Sequence, residues 1–410
     1  MSKQPTEISS DQRATTNWTI IAIIVLGTFV ALLPLILHLP APTSPRLGQI
    51  FAYLPTIVAL VLCYKFDQKS AKHEKIGTLL LCLVLAFTVN YLHYSWVDRG
   101  QYFRGTSNLD WQLGMHQAVL DLRPDNPPHS YRFLPNSFVR LFEQVTGDFA
   151  IARDSYRNVF GLLFFYAYYR FARLFLRHGG SLFCLALMAV IMPVSFRYYA
   201  GQLTDPMSHL SFVLAFLFLE TQQFAYLVLA VTIGCLAKET IAAMAGYYVL
   251  FRWREHSYIT KSALIAFSTL AVCLLARMWV LHGVPAYQQI SGTGFDQARR
   301  NLGNYFEWIP GFIYTAGIFI PFAIAGWKKS PWALRSLAAY WLPVLLFSGL
   351  FFSWLRESRN FVPLAMILAV LTVYYLVPYE QADSMTEREP AQPTRPAGVP
   401  QRKLKRGKTR

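Results

Sequence analysis

The chain has 410 residues, of which 54% are hydrophobic and 16% aromatic, while only 15% carry a charge. With a mean hydropathy of +0.31, this composition lies outside the range of ordinary soluble domains and indicates a polytopic helical membrane protein. The formal net charge of +16 does not indicate a nucleic-acid partner, because lysine and arginine occur mostly in short clusters between apolar runs.

Residues 1–17 are polar and precede an apolar run that is too long and too far along the chain for a cleaved signal peptide. We therefore expect a cytoplasmic tail followed by a retained membrane anchor. With roughly 17–25 apolar residues for each crossing, the sequence predicts about twelve transmembrane helices. They are Trp18–Leu39, Gly48–Phe66, Ile76–Tyr94, Asn158–Leu176, Leu182–Tyr199, Met207–Leu219, Phe224–Ala237, Thr240–Phe251, Ala263–Leu281, Trp308–Trp327, Ala333–Trp354 and Phe361–Val377.

The apolar runs on either side of Lys238 and Glu239 are too short to cross a bilayer comfortably alone. They predict a helix that is broken or tilted, which is tolerated where the broken backbone lines a cavity. The transmembrane domain then covers residues 18–377 and includes a long outer segment at 95–157. Residues 378–410 are rich in Pro, Gln and Thr and end in RKLKRGKTR, which predicts a disordered tail with a basic end for anionic lipid.

The basic residues predict the orientation in the membrane. The short loops after spans two, four, eight and ten carry about 13 lysines and arginines, against about five in the short loops of the opposite face. Both termini are therefore predicted to be cytoplasmic. All the polar clusters that this rule leaves unexplained then lie on the outer face, including residues 95–157, Lys238 with Glu239, and residues 356–359.

The outer segment contains two short predicted helices, Trp111–Leu122 and Leu134–Gln144, whose apolar faces favour a position along the membrane interface. The stretch PDNPPHSYRFLP between and at the start of these helices holds four prolines and is not expected to form regular helix. A rigid polar turn at the membrane surface would suit substrate binding. An ordinary capping loop is the alternative.

Several charged residues of the outer face are candidates for chemistry. Asp98 or Asp110 could accept a proton from a hydroxyl group, although a helix cap or a solvated charge is the commoner role of such a residue. Asp205 begins a span, where an N-cap is the structural alternative. An ionisable pair such as Lys238 and Glu239 between apolar runs is a functional candidate because burying it is costly.

Arg356, Glu357 and Arg359 lie between the last two predicted spans. The planar guanidinium of an arginine there could contact two oxygens of a phosphate, and Arg356 is the strongest candidate. A plain cluster of loop charges is the alternative.

Together these residues resemble the GT-C superfamily of integral membrane glycosyltransferases. The resemblance covers most of residues 95–377. It rests on the acidic residue of NLDWQLGMHQA, on Asp205, and on the element Tyr131-Arg132-Phe133-Leu134-Pro135 after His129. It rests also on Lys238-Glu239-Thr240 and on Glu357 and Arg359 before FVPL.

The resemblance implies transfer of a sugar from a polyprenyl-phosphate donor to a glycan, lipid or protein acceptor outside a bacterial inner membrane. It implies that Asp110 or Asp98 is the base, that Arg132, Lys238 and Arg356 hold the phosphate, and that His129, Tyr131, Asp205, Glu239, Glu357 and Arg359 shape the cleft. All five cysteines lie in apolar runs, so neither a disulfide framework nor a cysteine-rich metal site is predicted.

Three other functions are compatible with the sequence. A secondary transporter often has twelve spans with both termini inside, but the two halves of this chain show no repeat in hydropathy. An O-antigen ligase or polymerase usually has its large outer loop late in the chain, and a noncatalytic membrane scaffold is the third alternative. The sequence specifies neither the sugar, the acceptor, the oligomeric state nor any dependence on a divalent metal.

Overall fold

The computed structural model describes residues 71–93, 107–123, 129–195, 202–281 and 294–382. Within these ranges the chain is helical and has no β-strand, as the sequence predicts. The first two predicted spans, Asp98 and residues 383–410 of the predicted tail lie outside the described residues.

Fourteen α-helices are present in the part of the chain that the structure describes. In chain order, α1–α14 are Ala71–His93, Asn108–Leu120, Phe133–Thr146, Phe149–Ala172, His178–Ser195, Thr204–Glu220, Phe224–Cys235, Met244–Phe251, Tyr258–Leu281, Phe295–Gly303, Tyr305–Thr315, Ile320–Gly326, Trp332–Phe352 and Val362–Leu376. Short 3₁₀ turns occur at His129–Tyr131, Glu239–Ala243, Gly317–Phe319, Ser358–Phe361 and Pro378–Glu380.

Four of the described helices are long and apolar enough to cross a membrane: Ile76–His93, Tyr258–Val280, Trp332–Phe352 and Ser358–Leu376. A fifth span is formed if α11 and α12, which are bent by 56° at their junction, are counted together. These five match predicted spans. The total of about twelve remains a prediction, because α7 and α8 are shorter than a bilayer requires, α5 and α6 are only 18 and 17 residues long, and α4 carries several charged residues.

The last helix lies at the centre of the bundle. Of the window Ser358–Leu376, 89% is buried, against 22% of Tyr258–Val280. Helix α14 packs against α5, α12 and α13, whereas α9 packs mainly against α7 and α8 and exposes large apolar side chains such as Phe267 and Leu275. An exposed apolar face of this kind fits lipid, so α9 belongs to the periphery of the bundle.

The predicted interruption at Lys238 is present, and it folds the chain back on itself. Helix α7 ends at Cys235, Lys238 is extended, and a 3₁₀ turn leads into α8. The rings of Phe224 and Tyr248 lie 5.9 Å apart, so the start of α7 is level with the second half of α8. The two helices therefore form a hairpin with Lys238 at its tip, rather than one tilted helix.

The two short helices predicted at Trp111–Leu122 and Leu134–Gln144 are present as α2 and α3, but the buried face of α2 differs from the prediction. Three of its four buried residues are polar, namely Asn108, Gln112 and His116. Gln112 accepts hydrogen bonds from Arg153 and Arg157 of α4, and His116 pairs with Asn136 of α3 at 3.1 Å. Burial lowers the pKa of His116. Polar pairing with neighbouring helices, rather than an apolar face alone, positions α2.

The proline-rich stretch also differs in part from the prediction. Residues 124–128 lie outside the described residues, and His129–Tyr131 form a 3₁₀ turn, but Phe133, Leu134 and Pro135 already belong to α3. Proline is tolerated in the first turn of a helix because the N–H group that it lacks has no intrahelical partner there. Arg132 is the residue from which α3 begins.

Candidate functional site

Four separate parts of the sequence converge on one cluster of charged side chains at the ends of helices. Its members come from the turn before α3, the first turns of α6, the tip of the α7–α8 hairpin, and the 3₁₀ turn before α14. Together they supply three cations, three carboxylates and two histidines: Arg132, Lys238, Arg359, Asp205, Glu239, Glu357, His129 and His209. We call this set the charged cluster.

Arg359 is the most enclosed cation of the cluster. Its Nη1 donates to Asp205 Oδ2 at 2.7 Å and its Nη2 to Glu357 Oε2 at 2.8 Å. All three side chains are less than 10% exposed. A buried ion pair costs several kcal/mol of desolvation and is kept only with good geometry and additional hydrogen bonds. Asp205 meets this condition, because its Oδ2 also accepts from the Gln202 backbone N–H at 3.1 Å.

Helix α6 presents two cluster members on one face. Asp205 is in its first turn and His209 follows four residues later, a spacing that places both side chains together. The His209 Nε2 lies 3.3 Å from the backbone carbonyl of Arg359. The chain entering α6 is held by Tyr156 of α4, whose hydroxyl donates to the Leu203 carbonyl at 2.8 Å.

Lys238 is bonded differently from the two arginines. Its ammonium donates to the amide oxygen of Asn360, and no carboxylate of the described residues lies within 4.0 Å of it. Asn360 in turn donates to Ser353 at 3.3 Å and lies near Glu357 at 3.5 Å. The direct partner of the Lys238 ammonium is therefore a neutral amide, whereas each of the two arginines contacts a carboxylate.

Arg132 and Glu239 form the most exposed pair of the cluster. The Arg132 Nη2 and Nε donate to Glu239 Oε2 at 2.7 and 3.1 Å, and the side chains are 16% and 27% exposed. His129 lies nearby, 3.5 Å from the Gln202 amide nitrogen. Burial lowers the pKa of His129 to about 3, and the charges of Arg132 and Arg359 oppose its protonation further. His129 is thus neutral at physiological pH.

A cavity opens beside the cluster between α1, α4, α5 and α6. Its volume is about 40 Å³, and Asp205 is the carboxylate among its described lining residues. Polar groups from Asn90, Arg157 and Gln202 share the lining with the rings of Phe160 and Phe164. The Asn90 Oδ1 is buried and has no hydrogen-bond partner among the described residues. Such a space admits small polar groups or water without rearrangement of the bundle.

Two residues that the sequence analysis favours make their contacts elsewhere. Asp110 is exposed, and its carboxylate accepts from the Ser107 hydroxyl at 2.6 Å while Ser107 caps α2. Arg356 is 40% exposed, pairs with Glu307 at 3.3 Å and lies over the ring of Trp354. Neither has a described contact with the charged cluster. The expected convergence of Asp110 and Arg356 with Arg132 and Lys238 is therefore not observed.

Tyr131 lies behind the cluster rather than in it. Its buried ring packs with Ala276 and Val280 of α9, and the guanidinium of Arg277 lies 5.1 Å from the ring centroid. Tyr131 thus anchors the turn that carries His129 and Arg132.

His209, Gln202, Asn360, Asn90 and Arg157 are not predicted from the sequence as site residues. The spacing of Asp205 and His209 on one helix face is a signal that points to His209, and Asn360 directly follows Arg359. Asn90 and Arg157 carry no local signal, because only the packing of α1 against α4 brings them to the cavity.

Among the described residues, no group of three or more His, Cys, Asp or Glu side chains could hold a metal ion.

No family model, no curated protein and no solved structure matches this chain.

Proposed function

We propose that the protein is a membrane glycosyltransferase that moves a sugar from a polyprenyl-phosphate donor to an acceptor on the extracytoplasmic face. The observation that carries this proposal is the position of Lys238, a partly buried ammonium with no carboxylate in contact, in the same cluster as Asp205, a carboxylate that lines a cavity. An anion site next to a possible base is what such a transfer requires.

Lys238 and Arg132 are the proposed ligands of the donor phosphate. The cluster holds as many carboxylates as cations, so a phosphate that enters it must replace a carboxylate at one cation. The Arg132–Glu239 pair is the one to open, because it is more exposed than the pairs of Arg359. With Glu239 displaced, the guanidinium offers two parallel N–H groups to phosphate oxygens beside the Lys238 ammonium.

Asp205 is the proposed base. The described bonds to its carboxylate all go to Oδ2, from Arg359 and from the Gln202 backbone, and its Oδ1 has no hydrogen-bond partner among the described residues. Oδ1 can therefore accept the proton of an acceptor hydroxyl in the cavity. The attacking oxygen would then form a bond to the anomeric carbon with inversion while the bond to the lipid phosphate breaks.

This proposal changes the role expected of Asp110. An exposed carboxylate that is already hydrogen-bonded to the serine capping its own helix is better explained by helix stabilisation. Asp98 remains the alternative base of the outer segment.

Transport is the second candidate function. Two interruptions favour it: the α7–α8 hairpin with charged residues at its tip, and the 56° bend between α11 and α12. Discontinuous helices next to buried charges form the substrate and ion sites of many secondary transporters. A transporter would bind its substrate at the charged cluster without breaking a covalent bond.

The test is a transfer assay with the full chain in nanodiscs and a panel of polyprenyl-phosphate sugars. The measured product is free polyprenyl phosphate. Because Asp205 also belongs to the buried Arg359 pair, the rate is measured per amount of folded protein, and on that basis Asp205→Asn should lower it by about 10²–10⁴, the usual effect of losing a general base. Asp296→Asn, at an exposed position of α10, is the matched control and should keep the wild-type rate.

Asp110→Asn separates the two assignments of the base. Full activity of Asp110→Asn together with an inactive Asp205→Asn supports Asp205 as the base. The reverse result would identify Asp110 as the base. If wild-type protein binds the donors but releases no polyprenyl phosphate from any of them, the transferase proposal is wrong and transport gains support.

A further inference from the structure

Two cysteines face each other across helices α7 and α9. The register of the two helices follows from the contacts along them: the Lys261 ammonium lies 5.6 Å from the Phe224 ring, and the Thr232 hydroxyl donates to Ser268 at 3.0 Å. Residue numbers rise in the same direction on both helices, so the helices run parallel. Three residues further along α7 and five residues further along α9 come Cys235 and Cys273.

The two thiols lie close enough to interact with each other. Just beyond them, Leu236 packs against the apolar cluster of Tyr131, Ala276 and Val280, of which the last two belong to α9. Cys235 is buried and Cys273 is partly exposed at the periphery of the bundle. The other two described cysteines, Cys82 and Cys184, are fully buried on different helices.

The pair adjoins the charged cluster. Cys235 is the last residue of α7 and lies three positions before Lys238. A covalent link at this point would join the tip of the α7–α8 hairpin to α9. On the orientation that the basic loops predict, this end of the helices is extracytoplasmic, where disulfides form and persist.

We propose that Cys235 and Cys273 are a redox-active dithiol that closes to an intramolecular disulfide joining α7 to α9. The oxidant is a disulfide, either a small molecule or a thiol–disulfide oxidoreductase. The thiolate of one cysteine attacks the oxidant to form a mixed disulfide and releases one thiol, and the second cysteine then displaces the other. Two electrons and two protons pass to the oxidant, and one Sγ–Sγ bond forms.

The partial exposure of Cys273 makes it the first nucleophile, since the reaction requires access to the attacking sulfur. Cys235, which lies beside that sulfur, completes the exchange. A disulfide between Cys235 and Cys273 reduces the conformational freedom of the unfolded chain. It therefore raises the thermal stability of the native state where the native geometry accommodates the bond.

The experiment treats the reduced full chain in nanodiscs with 4,4′-dithiodipyridine, an aromatic disulfide that enters apolar surroundings. Closure of the dithiol releases two thiopyridones and leaves no pyridyl group on the protein, whereas simple capping releases one and leaves one. Peptide mapping by mass spectrometry should recover the peptides of Cys235 and Cys273 joined, and the melting temperature should rise.

Cys235→Ser and Cys273→Ser should each lose the joined peptide, and Cys184→Ser, at an unrelated buried position, should retain it. The mapping of the wild-type protein stands even if a variant fails to fold. Unreacted or singly capped thiols at both positions, a link to a different cysteine, or an unchanged melting temperature after closure would each overturn the proposal.

Discussion

At the scale of single residues, substitutions in the charged cluster affect either folding or ligand binding, depending on how enclosed the side chain is. Arg359 is enclosed with two carboxylates, and removing one partner of such a buried pair costs about 3–5 kcal/mol because an uncompensated charge is left behind. Variants of Arg359 would therefore report on folding. Lys238 and Glu239 are partly exposed and report more directly on ligand binding.

The first prediction at this scale concerns the phosphate. Lys238→Met should weaken retention of a photoreactive polyprenyl phosphate in nanodiscs by roughly 10- to 150-fold, which corresponds to the about 1.5–3 kcal/mol of a hydrogen bond to a charged group. Glu239→Gln should strengthen it, because Arg132 then meets the phosphate without a competing carboxylate. Lys329→Met, in an exposed loop at the opposite end of the bundle, is the control.

Arg356→Ala belongs to the same series of measurements. Arg356 is the strongest phosphate ligand predicted from the sequence, but in the structure its guanidinium pairs with Glu307 and lies over the ring of Trp354. We therefore expect a change of less than about threefold, within the range of a surface ion pair. If Arg356→Ala lowers retention of the probe more than Lys238→Met does, Arg356 and not Lys238 is the main phosphate ligand.

At the scale of helices, the position of Lys238 depends on how closely α7 approaches α6. Gly234 makes this approach possible: a Cβ atom there would lie 2.7 Å from the Ser211 Cβ and 3.1 Å from the Ile241 Cδ1. The Ser211 Cβ is fixed to the backbone of α6, so rotation of the serine side chain cannot relieve this contact and the helices would have to move apart. The glycine thus sets the distance between α6, which carries Asp205, and the hairpin, which carries Lys238.

Gly234→Ala should therefore destabilise the protein by about 1–3 kcal/mol, the usual cost of overpacking. The measurement is the melting temperature in nanodiscs together with retention of the phosphate probe, which should fall as Lys238 moves. Gly114→Ala is the matched control, since a Cβ at that exposed position of α2 meets nothing within 4 Å. It should be neutral or stabilising by up to about 1 kcal/mol. Equal melting temperatures for both variants would contradict this role of Gly234.

The helices also show how far the sequence predicts this structure. Apolar run length and the positions of proline locate most helices, including α2, α3 and the interruption at Lys238, because these are local properties. The direction after the interruption is not local. It depends on Phe224 meeting Tyr248 and on Gly234 meeting Ser211, and no spacing within one run of residues encodes such contacts.

The same distinction holds for the candidate site. An ionisable residue beside an apolar run is costly to bury and is therefore a functional candidate. This criterion identifies six members of the charged cluster from the sequence: Arg132, Asp205, Lys238, Glu239, Glu357 and Arg359. Arg356 satisfies the same criterion yet pairs with Glu307, and Asp110, which is a candidate as an acidic residue of the outer segment, pairs with Ser107. Which charged residues meet is decided by packing between helices, which the sequence does not display.

At the scale of the whole molecule, the two ends of the bundle differ in charge. Helix α14 begins at the charged cluster and is followed by Glu380, whose carbonyl accepts from the Arg177 backbone N–H at 2.6 Å. Helix α6 begins at Asp205 and ends at Glu220, which pairs with Arg252 at 2.7 Å. The loops after α4 and α8, which the sequence analysis counts as basic and cytoplasmic, therefore lie at the end opposite the cluster.

A third basic loop joins this end. The ring of Trp332 lies 6.2 Å from Phe251, which brings the segment after α12 beside the segment after α8. Arg254 and Arg335 stack on the exposed rings of Trp253 and Trp332. Tryptophan rings with basic neighbours are characteristic of the cytoplasmic interface of a membrane, where they meet lipid head groups.

The last prediction follows from this asymmetry. Reporters fused after Gly179 and after Ser330 should read cytoplasmic, since both positions belong to the basic end of the bundle, and a reporter inserted near Asn126, in the segment that leads to His129 and Arg132, should read extracytoplasmic. The measurement is paired alkaline phosphatase and fluorescent-protein activity in intact cells, with an insertion in the span Trp332–Phe352 as the control for disrupted insertion. Cytoplasmic labelling at Asn126 would place the charged cluster on the face opposite to the one where we propose that the polyprenyl-phosphate donor is used. The transferase proposal would then fail, whatever the behaviour of Asp205 and Lys238.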